Sequence, residues 1–155
     1  MTKLHHSAIC VTDVEESLRF WRDGLGFEVQ MDRTFPGDWP TLFGAPEPEL
    51  RSIFLGEPGD MESGIVELVA FRGADTSAGP APAATAPPVS GFLLLSIFAD
   101  VDATLARLAD LGLGGEPRVI DAAPGVRLAV VTDPDGIMVE LMGSSAAANI
   151  DSLAD

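Results

Sequence analysis

The sequence predicts an α+β fold made of two copies of a βαβββ module, and three observations predict it. An apolar strand pattern closed by an aspartate, which opens an amphipathic stretch, occurs twice, at residues 6–13 and 93–100. Val66-Glu67-Leu68 is echoed by Val139-Glu140-Leu141 near the end of each half. Between the halves, residues 73–90 hold four prolines and six alanines without any burial period, and read as a linker. A duplicated unit of this kind presents a curved sheet face that wants a partner, and pairing two such faces makes a cleft. The expected organisation is a single domain over residues 1–155, with modules at 4–72 and 91–143 and a small polar tail at 144–155.

The elements follow in order. Residues 4–11 alternate as a strand, so His5 and His6 are expected to point to opposite faces, and only one of them to enter a pocket. Asp13 stands where a helix N-cap belongs, with Glu15 and Glu16 in the first turn where the helix dipole favours anions. Val14, Leu18, Trp21 and Leu25 recur at helical spacing and are predicted to face inward, while Arg19, Arg22 and Asp23 face water. Gly24 and Gly26 close the helix. A second strand is predicted over residues 27–32, then a loop over 33–48 whose apolar anchors are Phe35, Trp39 and Phe43. Strands follow at 50–55 and 64–71. In the latter, Ile65, Glu67 and Val69 share a face, and a carboxylate in so apolar a setting needs a cation, a hydrogen-bond partner or a proton.

The second half repeats the plan. Residues 92–98 form an apolar strand, and 100–113 a helix with Val101, Leu105 and Leu108 inward. A short strand at 117–120 and a stronger one at 126–131 precede the turn Asp133-Pro134-Asp135-Gly136. The last strand, 137–142, places Met138, Glu140 and Met142 on one face.

Composition excludes several classes of function. The chain has 155 residues, 46% of them hydrophobic and 21% charged, which is ample for a buried core. Nine basic residues against 24 acidic ones give a net charge of -15, which repels phosphate backbones and anionic lipid heads. No nucleic acid or membrane partner is expected, and the same field favours a cationic small molecule. The single cysteine, Cys10, excludes an internal disulfide and a cysteine-based zinc site. It lies on the strand face of His6, where packing or lining a pocket are both open to it. The N-terminus lacks a leader pattern and no apolar run reaches membrane-spanning length, so a cytoplasmic location is expected.

Taken in order, these residues resemble the vicinal oxygen chelate superfamily of glyoxalases, bleomycin resistance proteins and extradiol dioxygenases. The resemblance rests on Leu4-His5-His6 through Val11-Thr12-Asp13-Val14, on Val66-Glu67-Leu68, and on Pro87-Pro88 before Gly91. It continues through Asp100-Val101-Asp102-Ala103, the Asp133 to Gly136 turn and Val139-Glu140-Leu141, and so covers residues 4–143. It implies a glyoxalase-like fold and a divalent metal (Zn, Mn, Ni, Co or Mg) bound by side chains from the first and last strand of each module. Carried over residue by residue, the ligand positions are His6, Glu67, Leu93 and Glu140. Counting back seven from Asp13 selects His6 over His5, and the same count from Asp100 selects Leu93, which binds no metal; neither do Phe92 and Leu94.

Three functions are compatible with that set. In a metal-dependent isomerase, epimerase or lyase, His6, Glu67 and Glu140 hold the ion, and a proton leaves a carbon next to a carbonyl. Extradiol chemistry is disfavoured, because its two-histidine, one-carboxylate set wants a histidine at Leu93. In a metal-free enzyme, Glu67 and Glu140 act as an acid and base pair beside His6 on a natural-product intermediate. In a drug-binding resistance protein, Trp39, Phe35, Phe54, Met138 and Met142 supply apolar surface. Arg51 is a further candidate to contact a ligand, and Arg51 or Arg127 could instead neutralise a buried glutamate. Substitution of His5 is expected to matter much less than that of His6. The resemblance also implies a homodimer, with modules pairing within or between chains.

Overall fold

The computed structural model describes residues 1–75 and 90–143, so most of the predicted linker and all of the predicted tail lie outside the described residues. The chain divides into two compact units, Met1–Gly79 and Pro80–Asp155.

The first unit opens with β1 (His6–Cys10), α1 (Val14–Leu18) and a π-helical turn at Arg19–Gly24. It continues with β2 (Glu28–Pro36), α2 (Trp39–Phe43), β3 (Glu49–Gly56) and β4 (Ile65–Phe71). Its four strands lie in the order β1-β4-β3-β2, with β1 parallel to β4 and the other pairs antiparallel. The second unit contains β5 (Leu95–Phe98), α3 (Val101–Leu111), β6 (Gly114–Ala123), β7 (Val126–Thr132) and β8 (Met138–Met142). Its order, β5-β8-β7-β6 with β5 parallel to β8, repeats the first. The two sheets therefore have the βαβββ topology expected of the α+β fold.

α1 and α3 each start where an aspartate caps them. Asp13 accepts from the backbone N–H groups of Glu15 and Glu16 at 2.9 and 3.1 Å, and Asp100 from that of Ala103 at 3.1 Å. The first helix departs from α geometry after Leu18. The Leu25 N–H donates to the Phe20 carbonyl, five residues back, at 2.8 Å. In an α-helix Phe20 and Trp21 would be turned about 100° from one another. In the widened turn both are fully buried, so a side chain that periodicity did not place inward joins the core. α3 ends at Gly112, whose positive φ of 68° ends the helix as glycine readily allows.

Two strands are longer than predicted. β2 runs on through Pro36 instead of ending near residue 32, and β6 spans ten residues instead of the four predicted at 117–120. Both are the outermost strands of their sheets, where among the described residues one row of backbone groups pairs with no further strand. Proline and polar residues are tolerated there, which is why Arg33, Pro36 and Pro117 blurred the strand pattern. The rest of the first predicted loop holds α2, with Asp38 accepting from the Thr41 N–H at 3.3 Å and Gly44 closing it at a φ of 68°.

Register divides each sheet into two faces. In the first unit one face carries Ile9, Ile53, Leu55, Val66 and Leu68, all buried, and forms the core with Leu18, Phe20 and Trp21. The other face carries His6, Ala8 and Cys10 on β1, Glu67 on β4 and Ser52 and Phe54 on β3. In the second unit Val139, Leu141, Ala129 and Val131 are buried on one face, while Glu140, Met138, Met142, Ser96 and Val130 share the other. No helix among the described residues is long and apolar enough to cross a membrane.

Candidate functional site

The glutamate-bearing face of the first unit gathers a small polar cluster. Parallel pairing sets Ala8 opposite Glu67, so His6, one pleat earlier, reaches across to it. His6 Nε2 lies 3.2 Å from Glu67 Oε2. The other oxygen, Oε1, accepts from the Ser52 hydroxyl at 2.5 Å. Glu67 is the more buried partner, its side chain 14% exposed against 38% for His6, and the Ser52 hydroxyl satisfies one of its oxygens while the other faces His6. Phe54 packs beneath His6, with ring centroids 5.5 Å apart. Cys10 lies on the same face and is exposed.

His5 does not obey the expected alternation. β1 begins at His6, so His5 precedes the strand and its ring swings back to place Nδ1 2.8 Å from His6 Nδ1. Its Nε2 faces the Met61 carbonyl oxygen at 3.2 Å, and its ring lies 6.0 Å from Phe54. Both histidines are therefore part of the cluster, which corrects the expectation that only one would be.

Other predicted ligand contacts are placed differently. Arg51 lies on the opposite sheet face from Glu67 and forms a bidentate pair with Asp32, Nε to Oδ1 at 2.8 Å and Nη2 to Oδ2 at 2.7 Å. Hydrogen bonding to Arg51 holds the Asp32 carboxyl below the usual carboxylate range. Arg51 is thus neither beside the cluster nor the counter-ion of Glu67. Arg127 pairs with Asp102 at 3.0 Å rather than with Glu140. Phe35 is on the cluster's face but pairs with Leu50, four residues and about 13 Å along β3 from Phe54. Trp39 donates its indole N–H to the Phe35 carbonyl at 3.0 Å and stacks on Phe43, so these aromatics pin α2 to the sheet end.

In the second unit the Ser96 hydroxyl donates to Glu140 Oε2 at 2.7 Å, as Ser52 does to Glu67. Glu140 borders a pocket of about 330 Å³ with Arg118, Ile120, Leu128 and Val130. Met138 is beside it on the face and receives the Arg118 guanidinium at its sulfur, 3.3 Å away. Ser52, Ser96, Arg118 and the wall residues escaped the sequence reading. Serines are common on strands, and Arg118 sits on an edge strand whose pairing the sequence left obscure.

Register also revises the missing ligand. Glu67 is opposite Ala8 and Glu140 opposite Ser96, so the counterpart of His6 is two residues before Ser96, at Leu94. The count from the aspartates misses by one because the turn differs in length. Val11 and Ala99 are equivalent, each donating its N–H to the end of the neighbouring strand, at Val69 and Met142, but the cap follows two residues later in one and one later in the other. Leu93 is 49% exposed and is not the counterpart. The substitution remains aliphatic either way.

Among the described residues, no group of three or more His, Cys, Asp or Glu side chains stands placed to hold a metal ion. The His6 and Glu67 pair does have a suitable spacing. Two donors about 2.1 Å from an ion and 90–109° apart lie about 3.0–3.4 Å from each other, the range in which Nε2 and Oε2 stand.

The profile of the Glyoxalase/Bleomycin resistance protein/Dioxygenase superfamily matches residues 3–141. The lactoylglutathione lyase-like protein terB of Aspergillus terreus is 34% identical over 148 residues, covering 90% of this chain and 74% of that protein. Among solved structures, the trypanothione-dependent glyoxalase I of Leishmania major superimposes with a TM-score of 0.68 at 21% identity, covering 99% of this chain and 95% of the other. A glyoxalase family protein from Bacillus cereus gives 0.66 at 18% identity, covering 92% and 94%. At these identities the two structures speak for the fold alone.

Proposed function

The chain belongs to the glyoxalase, bleomycin resistance protein and dioxygenase superfamily, and from that premise we propose that it is a divalent-metal-dependent lyase or isomerase acting next to a carbonyl of a small oxygenated molecule. The observation that carries the proposal is the His6 Nε2 to Glu67 Oε2 separation of 3.2 Å on the sheet face they share with Ser52 and Phe54. His6 and Glu67 are the residues of the first unit that would hold the ion. The ion, when bound, supplies Lewis-acid polarisation of a carbonyl oxygen.

The remaining work falls to side chains. Ser52 occupies one oxygen of Glu67 and so leaves the other directed at His6. In this reading Glu140 accepts a proton from carbon and returns it to the same or a neighbouring carbon, a role supported by its Ser96 contact and its position at the edge of an apolar pocket. Ile120, Leu128 and Val130 give that pocket its apolar lining, and Arg118 supplies a cation at its edge.

Leu94 favours a second reading, in which a glutamate moves the proton without an ion. Elemental analysis of tag-free protein dialysed against metal-free buffer separates the two, beside His6→Ala, Glu67→Gln and Glu140→Ala. Near-stoichiometric metal in the parent, lost in His6→Ala and Glu67→Gln, is the expected outcome. Absence of metal after reconstitution, with turnover of a carbonyl substrate abolished by Glu140→Ala, would establish the metal-free reading instead.

A further inference from the structure

Three contacts run in series across the first unit: the Met61 carbonyl to His5 Nε2 at 3.2 Å, His5 Nδ1 to His6 Nδ1 at 2.8 Å, and His6 Nε2 to Glu67 Oε2 at 3.2 Å. Both ends of the chain are oxygen acceptors. Two neutral imidazoles carry one N–H each and so fill two of the three contacts. The Met61 carbonyl accepts only, so a filled first contact places the His5 proton on Nε2 and leaves Nδ1 as an acceptor. His6 then donates through Nδ1, and its Nε2 lone pair faces the carboxylate. Two lone pairs facing each other are unfavourable by themselves, but they are what a cation between them requires. With an ion at the third contact, every partner in the chain is satisfied and both rings are neutral.

We propose that His5 is a positioning residue that fixes the tautomer and orientation of His6 for ion binding, with the Met61 carbonyl as its anchor. The inference rests on the metal-dependent reading of the site and extends it one shell outward. The surroundings suit a fixed relay. The turn that carries Met61 is fastened by Gln30, whose side-chain amide donates to the Glu57 and Asp60 carbonyls, both at 2.7 Å. Asp60 Oδ1 in turn accepts from the Glu62 and Ser63 N–H groups at 2.8 and 3.3 Å. Phe54 backs both imidazoles, with centroid separations of 6.0 Å to His5 and 5.5 Å to His6. The anchor is thus held from β2, and the relay and the ligand both from β3.

The test uses zinc ion as the probe and two-bond proton–nitrogen spectra of the full chain. The chain contains only two histidines, so the two spin systems are told apart by one substitution. In the zinc-loaded protein His6 should show its proton on Nδ1 and the zinc-shifted nitrogen at Nε2, while His5 is protonated at Nε2. His5→Phe keeps a ring beside Phe54 but removes the acceptor, and should weaken zinc binding on the order of 10- to 100-fold with an unchanged circular dichroism spectrum. His5→Asn, whose side-chain oxygen can take the place of Nδ1, should recover part of that loss. Zinc binding by His5→Phe equal to that of the parent, or a His5 proton found on Nδ1 in the loaded parent, would overturn the positioning role while leaving the metal site standing. A parent that binds no zinc would overturn both. The parent spectrum decides the tautomer even if His5→Phe does not fold.

Discussion

Glu67 and Asp32 are both carboxylates on the first sheet, and their partners separate their roles. Asp32 is matched by Arg51 in a two-point hydrogen-bonded pair that leaves nothing over for chemistry. Glu67 is held by a neutral serine and faces a histidine, an arrangement that keeps one oxygen available. The Asp32 pair has a pH signature. Its carboxyl is held below the usual range by Arg51, so the stability it contributes is present above the unfolded value of about 3.9 and is lost as pH falls through the folded value. Both side chains are over a third exposed, which limits the effect to about 1 kcal/mol or less. Urea unfolding should therefore find Asp32→Asn less stable than the parent near pH 7, with the gap closing below about pH 4. A gap that widens on acidification would contradict the assignment. The glutamates, His6 and the aspartate caps were all legible in the sequence, because each stands out against an apolar or amphipathic pattern. The direction of His5 was not, since alternation governs only residues inside a strand and β1 starts one residue later.

Among the elements, the first helix departs furthest from its sequence pattern. Its start is fixed by Asp13, whose side chain takes two backbone N–H groups that the helix cannot satisfy itself. Asp13→Ala should lower stability by about 0.5–2 kcal/mol, read as a lower urea midpoint with an unchanged slope. An unaltered midpoint would mean that the fold at that end is set by the packing of Phe20 and Trp21 alone. The π-helical turn was invisible to a 3.6-residue period, because an extra residue per turn is decided by which side chains find room in the core. Edge strands β2 and β6 were shortened in the sequence reading for a related reason. A strand with one free side need not alternate cleanly, and what extends it is the hydrogen-bonding row of its neighbour.

For the molecule as a whole, charge is the dominant sequence-level property. A net charge of -15 on 155 residues makes the folded state self-repelling at low ionic strength. Raising salt from about 0.01 M to about 0.15 M shortens the screening length from about 30 Å to about 8 Å and should raise Tm. A Tm that stays flat or falls would show that the local ion pairs, such as Arg19 with Glu16, outweigh the global repulsion. The duplicated strand, cap and glutamate signals by themselves determined the two-module α+β plan, because apolar alternation, helix caps and a linker are local properties. They also determined which residues of their own strands share a face with Glu67 and Glu140. Which residue corresponds to His6 was settled only by register, since hydrogen bonding between distant strands sets Leu94, not Leu93, two places before the partner of Glu140. The same holds for the partners that define each carboxylate. Ser52, Ser96, Arg51 and the returning ring of His5 are brought to their places by strand pairing and turn length, quantities that no single stretch of chain encodes.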